Sequence, residues 1–117
     1  MPPTEVLDAL YDKLDELREI AEDALDEKLE SYMKPGERVR FEFEEQEERN
    51  DEAELYIGTK LAKELEIEPG DYKLVGKVVM KLKGDGKVFY DPEESPSTDI
   101  IGYTGYEVIA RYKLVRG

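Results

Sequence analysis

Apolar residues recur along the first part of the chain at alternating spacings of three and four: Leu7, Leu10, Leu14, Leu17, Ala21 and Ala24. That spacing places them on one stripe of an amphipathic helix. Leu25, Leu29, Tyr32 and Met33 carry the stripe on, slightly rotated. The pattern predicts a helix over residues 4–33, with Thr4 as its N-cap and Pro35-Gly36 as its stop. At ~1.5 Å per residue such a rod measures ~45 Å, whereas a nine-residue strand spans only ~30 Å. The expectation is therefore a break near Ala21–Ala24, or a helix end that overhangs the sheet and meets a partner.

Beyond Gly36 the period changes to two. Val39, Phe41 and Phe43 alternate with Arg38, Arg40, Glu42 and Glu44, as in a half-buried strand. The apolar signal fails at Glu45 and Glu47, which predicts an exposed strand end, and Arg49-Asn50-Asp51-Glu52 reads as a turn. Leu55–Ile57 suggests a short strand, followed by a short helix from Thr59 to about Leu65 capped at Gly58 or Thr59. Pro69-Gly70-Asp71 is a tight turn. Tyr72, Leu74, Gly76, Val78, Met80 and Leu82 form the clearest strand face, with lysines at 73, 77, 81 and 83 opposite. Gly84-Asp85-Gly86 reads as a hairpin into 87–90. Tyr106, Val108, Ala110, Tyr112 and Leu114 form the inner face of a last strand. The expected architecture is α+β: an N-terminal helix, with a possible break near its middle, packed on a mostly antiparallel sheet or partly closed barrel. With no repeat and no linker, 1–117 reads as one domain, comprising a helical segment at 1–34 and a sheet at 37–117 with one short helix near 59–66.

Composition narrows the chemistry. The 117 residues contain no cysteine, histidine or tryptophan. Disulfides, Cys/His zinc sites and every Ser-His or Cys-His catalytic arrangement are thereby excluded. Glu occurs 20 times, Gln once and Asn once, a bias shared by heat-resistant proteins and by engineered or de novo sequences. High stability is expected from either. No apolar run reaches the ~18 residues of a membrane span, and residues 1–5 lack the features of a signal peptide. A soluble, cytoplasmic protein is the expectation.

The net charge is −13 and unevenly placed. Residues 1–54 hold 20 acids and 7 bases, whereas residues 55–117 hold 10 of each. Direct nucleic-acid binding by phosphate neutralisation is not expected of such a chain. On the helix, the pairs 19/23, 22/26, 23/27 and 26/30 set like charges four residues apart, each costing roughly 0.2–0.5 kcal/mol of helix stability. Glu22, Asp26 and Glu30 on this face are candidates for contact with a basic protein partner. A solvated face that aids solubility is the plainer explanation. An acidic mimic that occupies a nucleic-acid-binding protein is an alternative. The apolar stripe also allows a homo-oligomer through the N-terminal helix.

Other chemistry is less specific. Residues 91–105 read as a long irregular loop leading into tyrosines, and Tyr90, Tyr103 and Tyr106 are candidate contact residues on its rim. Glu107, on a tyrosine-flanked strand, is the candidate unusual carboxylate for a ligand or enzymatic pocket between helix and sheet. The lysines at 77, 81 and 83 would complement Glu42 and Glu44 if their strands were neighbours. No carboxylate spacing matches a calcium loop, and no phosphate loop or GxSxG motif is present. No catalytic residue, metal or cofactor is therefore assigned, and the expected function is that of a non-enzymatic interaction or structural module.

Ile57-Gly58-Thr59-Lys60-Leu61-Ala62-Lys63-Glu64-Leu65-Glu66-Ile67-Glu68-Pro69-Gly70-Asp71 resembles the helix-turn-strand segment of the swapped-hairpin AbrB-like and double-psi barrel families. The resemblance covers 15 of 117 residues. It departs from those families at Thr59, where they place a proline, and at Glu66, where they place a glycine. AbrB-like proteins bind DNA with basic arms, and the first half of this chain is acidic. The resemblance transfers no function and no site residue.

Overall fold

A computed structural model describes the backbone of residues 4–91, 93 and 97–117, and the side chains of residues 4–89, 93 and 100–117. Five elements follow in order: α1 (Thr4–Glu30), β1 (Arg38–Ile57), α2 (Thr59–Leu65), β2 (Gly70–Asp91) and β3 (Ser97–Arg116). The helix packs on a three-stranded antiparallel sheet of order β1-β2-β3. The sheet is α+β in class and open, so the barrel expected as an alternative does not form. Among the described residues no helix is long and apolar enough to cross a membrane.

Helix α1 is unbroken, contrary to the expected interruption near Ala21–Ala24. No Gly or Pro interrupts its 27 residues, and Ala21 is buried rather than marking a bend. The length mismatch behind that expectation came from strands assumed too short. The three strands hold 20, 22 and 20 residues, which at ~3.3 Å each makes them longer than the ~40 Å helix.

Strand β1 runs straight through the expected turn at 49–52 and includes Leu55–Ile57. Alternate residues from Val39 to Ile57 share one face, but positions 45, 47, 49 and 51 on it are Glu, Glu, Arg and Asp, the first two exposed and the last two partly buried. The hydrophobic signal was lost there although the strand was not. Inward charges on an edge strand also oppose unwanted pairing of that edge.

The expected hairpin at Gly84–Gly86 is likewise strand interior, since β2 extends to Asp91. Its glycines are sites of close approach. A Cβ on Gly84 would lie 2.5 Å from the Phe43 ring, and one on Gly76 2.5 Å from the Tyr112 ring. Glycine leaves a hollow that the aromatic ring fills. Strand β3 begins at Ser97, so Tyr103 sits on a strand and not on the long loop expected before it, while Tyr106 lies on the strand as expected.

The chain groups into two compact units, one of residues up to Arg18, 48–79 and 109–117, the other of 19–47 and 80–108. In the first unit Ile57, Leu61, Ala62 and Tyr72 form a buried cluster, joined by Val6, Ile67 and Leu114. Helix α2 enters at Gly58, as expected, and ends at Glu66 in the left-handed region (φ 58°). Ile67 N–H donates to Ala62 O at 3.0 Å and Glu66 N–H to Lys63 O at 3.3 Å. This is the paired C-terminal cap that usually carries glycine at the left-handed position. The departure noted at Glu66 thus falls where a side chain is strained. In the second unit Leu29, Phe41, Phe43 and Val88 are buried together, with Tyr32 against Phe41 and Phe43 at ring separations of 5.7 and 6.1 Å.

Candidate functional site

In the first unit the inward charges of β1 meet polar groups from two other elements. Asp51 accepts a hydrogen bond from the Tyr112 hydroxyl of β3 at 2.9 Å and pairs with Lys13 of α1 at 3.2 Å. Lys13 also reaches Glu16 at 3.4 Å. The hollow over Gly76 lets the Tyr112 ring lie flat across β2 and deliver its hydroxyl to β1.

Each titration in this trio is displaced. Burial pushes the Asp51 carboxyl up, but hydrogen bonds from Tyr112 and Lys13, with the charges of Lys13 and Arg49, outweigh it and hold the carboxyl below its ordinary value. Burial pushes Lys13 down, and the bond to and charge of Asp51 more than offset this, leaving it above its ordinary value. Burial, then the bond to and charge of Asp51, push Tyr112 up to about 12. Among the described residues the Arg49 Nε is buried with no hydrogen-bond partner. The arrangement ties helix α1 to strands β1 and β3.

A tyrosine with raised ionisation contributes stability that is complete below pH 10 and lost as the pH rises through about 12. Asp51, held low, contributes stability present above about 3.8 and lost as the pH falls through its lowered value. Tyr112→Phe is expected to cost about 1 kcal/mol at pH 7, since the acceptor is charged but the site is only half-buried. It should also remove a component near pH 12 from an absorbance titration at 295 nm.

In the second unit a groove of about 270 Å³ runs along the sheet, bordered by Glu44, Lys81, Lys83, Tyr103, Tyr106 and Glu107. Gly105 opens it, and the Tyr103 hydroxyl lies 3.4 Å from where a Cβ on that glycine would be. Glu44 of β1 thus shares a groove with the Lys81 and Lys83 of β2, as the charge pattern of the two strands led us to expect. In the first unit Glu52 and Lys73 also pair across β1 and β2, at 3.7 Å.

Of the sequence-derived candidates, Tyr103, Tyr106 and Glu107 come together at this groove. Tyr106 donates a hydrogen bond from its hydroxyl to the Glu22 carboxylate of α1 at 2.6 Å. Asp26 and Glu30 lie exposed farther along α1. The side chain of Tyr90 lies outside the described residues. Lys28 pairs with Glu45 at 2.6 Å, a bond that raises the lysine above its ordinary value. Among the described residues Glu19, Asp23, Asp26, Glu27 and Glu30 have no ion-pair partner.

A cavity of about 130 Å³ lies between α1 and the sheet in this unit, against Ala21, Ala24, Glu45 and Met80. It is well below the ~300 Å³ at which small-molecule sites begin. Among the described residues no three acidic side chains converge to hold a metal ion. Along the apolar stripe of α1, Leu17, Ala21 and Leu29 are buried within the chain.

Sequence reading missed Lys13, Asp51 and Tyr112 as a group. Alternation carried on through 45–57 would have set Asp51 inward and so flagged a buried partner for it. Compared with known proteins, the chain matches no family model, no curated protein and no solved structure. The local likeness of residues 57–71 therefore brings no family with it.

Proposed function

We propose that the chain is a stable, non-enzymatic binding module that presents the acidic face of α1 to a basic protein partner. The observation that carries this reading is the contrast between surfaces. Where β1 and β2 lie side by side, Glu52 pairs with Lys73, and Glu44 shares a groove with Lys81 and Lys83. On the second half of α1, carboxylates stand at successive turns with no cation to answer them, despite the helix stability this costs. A complementary basic surface would relieve that repulsion and gain rate and orientation from the field.

A fluorescent lysine-serine repeat peptide serves as the basic probe. It should bind at low salt and weaken steeply by 0.3 M, where screening is strong. The triple change Asp23→Lys, Asp26→Lys, Glu30→Lys should weaken binding at least about tenfold. The matched triple Glu64→Lys, Glu66→Lys, Glu68→Lys should have a much smaller effect. Equal losses from the two triples would mean that bulk charge alone attracts the probe, and would overturn the assignment to α1.

A further inference from the structure

An open sheet leaves two strands with unpaired backbone along one side, here β1 and β3. The two edges differ in kind. Strand β1 carries eight acids against three bases and turns Arg49 and Asp51 partly inward, a combination that repels an added strand. Strand β3 carries two acids, Asp99 and Glu107, against three bases, Arg111, Lys113 and Arg116, and contains no proline. It exposes Ile101, Tyr103 and Ile109 at 56, 68 and 40%. In a chain of net charge −13 it is the one edge near neutrality.

Its backbone register is legible. Gly117 N–H donates to Asp71 O at 3.0 Å, and Gly76 faces Tyr112 with the same offset. Hydrogen-bonding directions alternate along a strand. Odd-numbered residues from Gly117 back to Glu107 therefore direct their N–H and C=O groups to β2, and even-numbered ones to the open edge.

We propose that β3 is a self-association edge, and that two copies pair antiparallel along it about a two-fold axis at Ile109. In that register Ile109 meets Ile109 of the second copy in a non-hydrogen-bonded pair, where side chains approach most closely. Val108 and Ala110 exchange edge hydrogen bonds with Ala110 and Val108 of the other copy. On the solvent face Glu107 falls opposite Arg111, twice by symmetry, and opposite charges in cross-strand pairs favour the register. Moving the axis to residue 107 or 111 would instead set glutamate against glutamate or arginine against arginine. An interface of this kind is isologous and closes at two copies, so it leads to a dimer and not a fibre. The occupant of the edge is a second copy of this chain.

Sedimentation velocity over a concentration series tests this with the full chain. The wild type should shift from monomer to dimer as concentration rises. Ala110→Pro removes an N–H that faces the edge and none that bonds β2, so it should give a monomer at every concentration with an unchanged circular dichroism spectrum. Glu107→Arg and Arg111→Glu should each raise the dissociation constant roughly tenfold. The double exchange should restore it to within about twofold of wild type, a recovery that a simple loss of folding could not produce. A wild type that stays monomeric throughout, or a dimer indifferent to these changes, would overturn the proposal.

Discussion

Phe41→Ala should lower the stability of the protein by about 3–5 kcal/mol, the range for deleting a fully buried aromatic side chain. Phe41 is 1% exposed and sits 5.7 Å from the Tyr32 ring and 5.9 Å from Phe43. Its ring also approaches Gly84 so closely that a Cβ there would lie 2.9 Å away. Cavities of this kind are partly repaired when neighbouring side chains lean in, and the cost falls accordingly. The floor of this one is a glycine, which has nothing to contribute. Chemical denaturation should show a lowered midpoint with an unchanged slope, the sign of a stability loss without a change in the surface exposed on unfolding. A loss under about 1 kcal/mol would mean that the second unit's core repacks readily around the gap.

Leu17→Asp should be at least as damaging, on the order of 4–5 kcal/mol, since it combines a lost apolar contact with a carboxylate placed where water is excluded. Leu17 is 1% exposed, while Ile20, one turn away on the same helix, is 37% exposed. Ile20→Asp should cost well under ~1 kcal/mol, as surface substitutions do. The pair separates two roles for the helix. A stripe docked on the chain's own sheet makes the monomer unfold on Leu17→Asp. A stripe reserved for another copy would instead leave a folded monomer and abolish only an oligomer. Thermal melts at two protein concentrations distinguish these outcomes.

Legibility varied with what each residue had to report. The inner faces of β2 and β3 were readable because every inward position from Tyr72 to Leu82, and from Tyr106 to Leu114, is apolar or glycine. The centre of β1 was opaque, since this face holds Glu45, Glu47, Arg49 and Asp51 there, and the partners of Asp51 lie far away in sequence. Lys13 and Tyr112 stand 38 and 61 residues from Asp51. Gly84 was misread for a related reason. A glycine beside Asp85 is a sound local signal for a turn, and only the rings of Phe41 and Phe43 above it make it the interior of a strand. At the candidate site, Tyr103, Tyr106, Glu107 and Glu22 were nameable one by one. That a tyrosine hydroxyl from β3 would meet a carboxylate from α1 was not.

The sequence by itself determined the helix, the alternation of the strands, the α+β class and the concentration of acid in the first 54 residues. These are properties of neighbours a few positions apart, set by the 3.6 and 2.0 periods of the backbone. Tertiary structure alone decided the strand lengths, the unbroken helix, the openness of the sheet and the pairing of Lys13, Asp51 and Tyr112. Those depend on what stands opposite each residue in space. A glycine beneath a ring, or a charge with a distant partner, has no local signature.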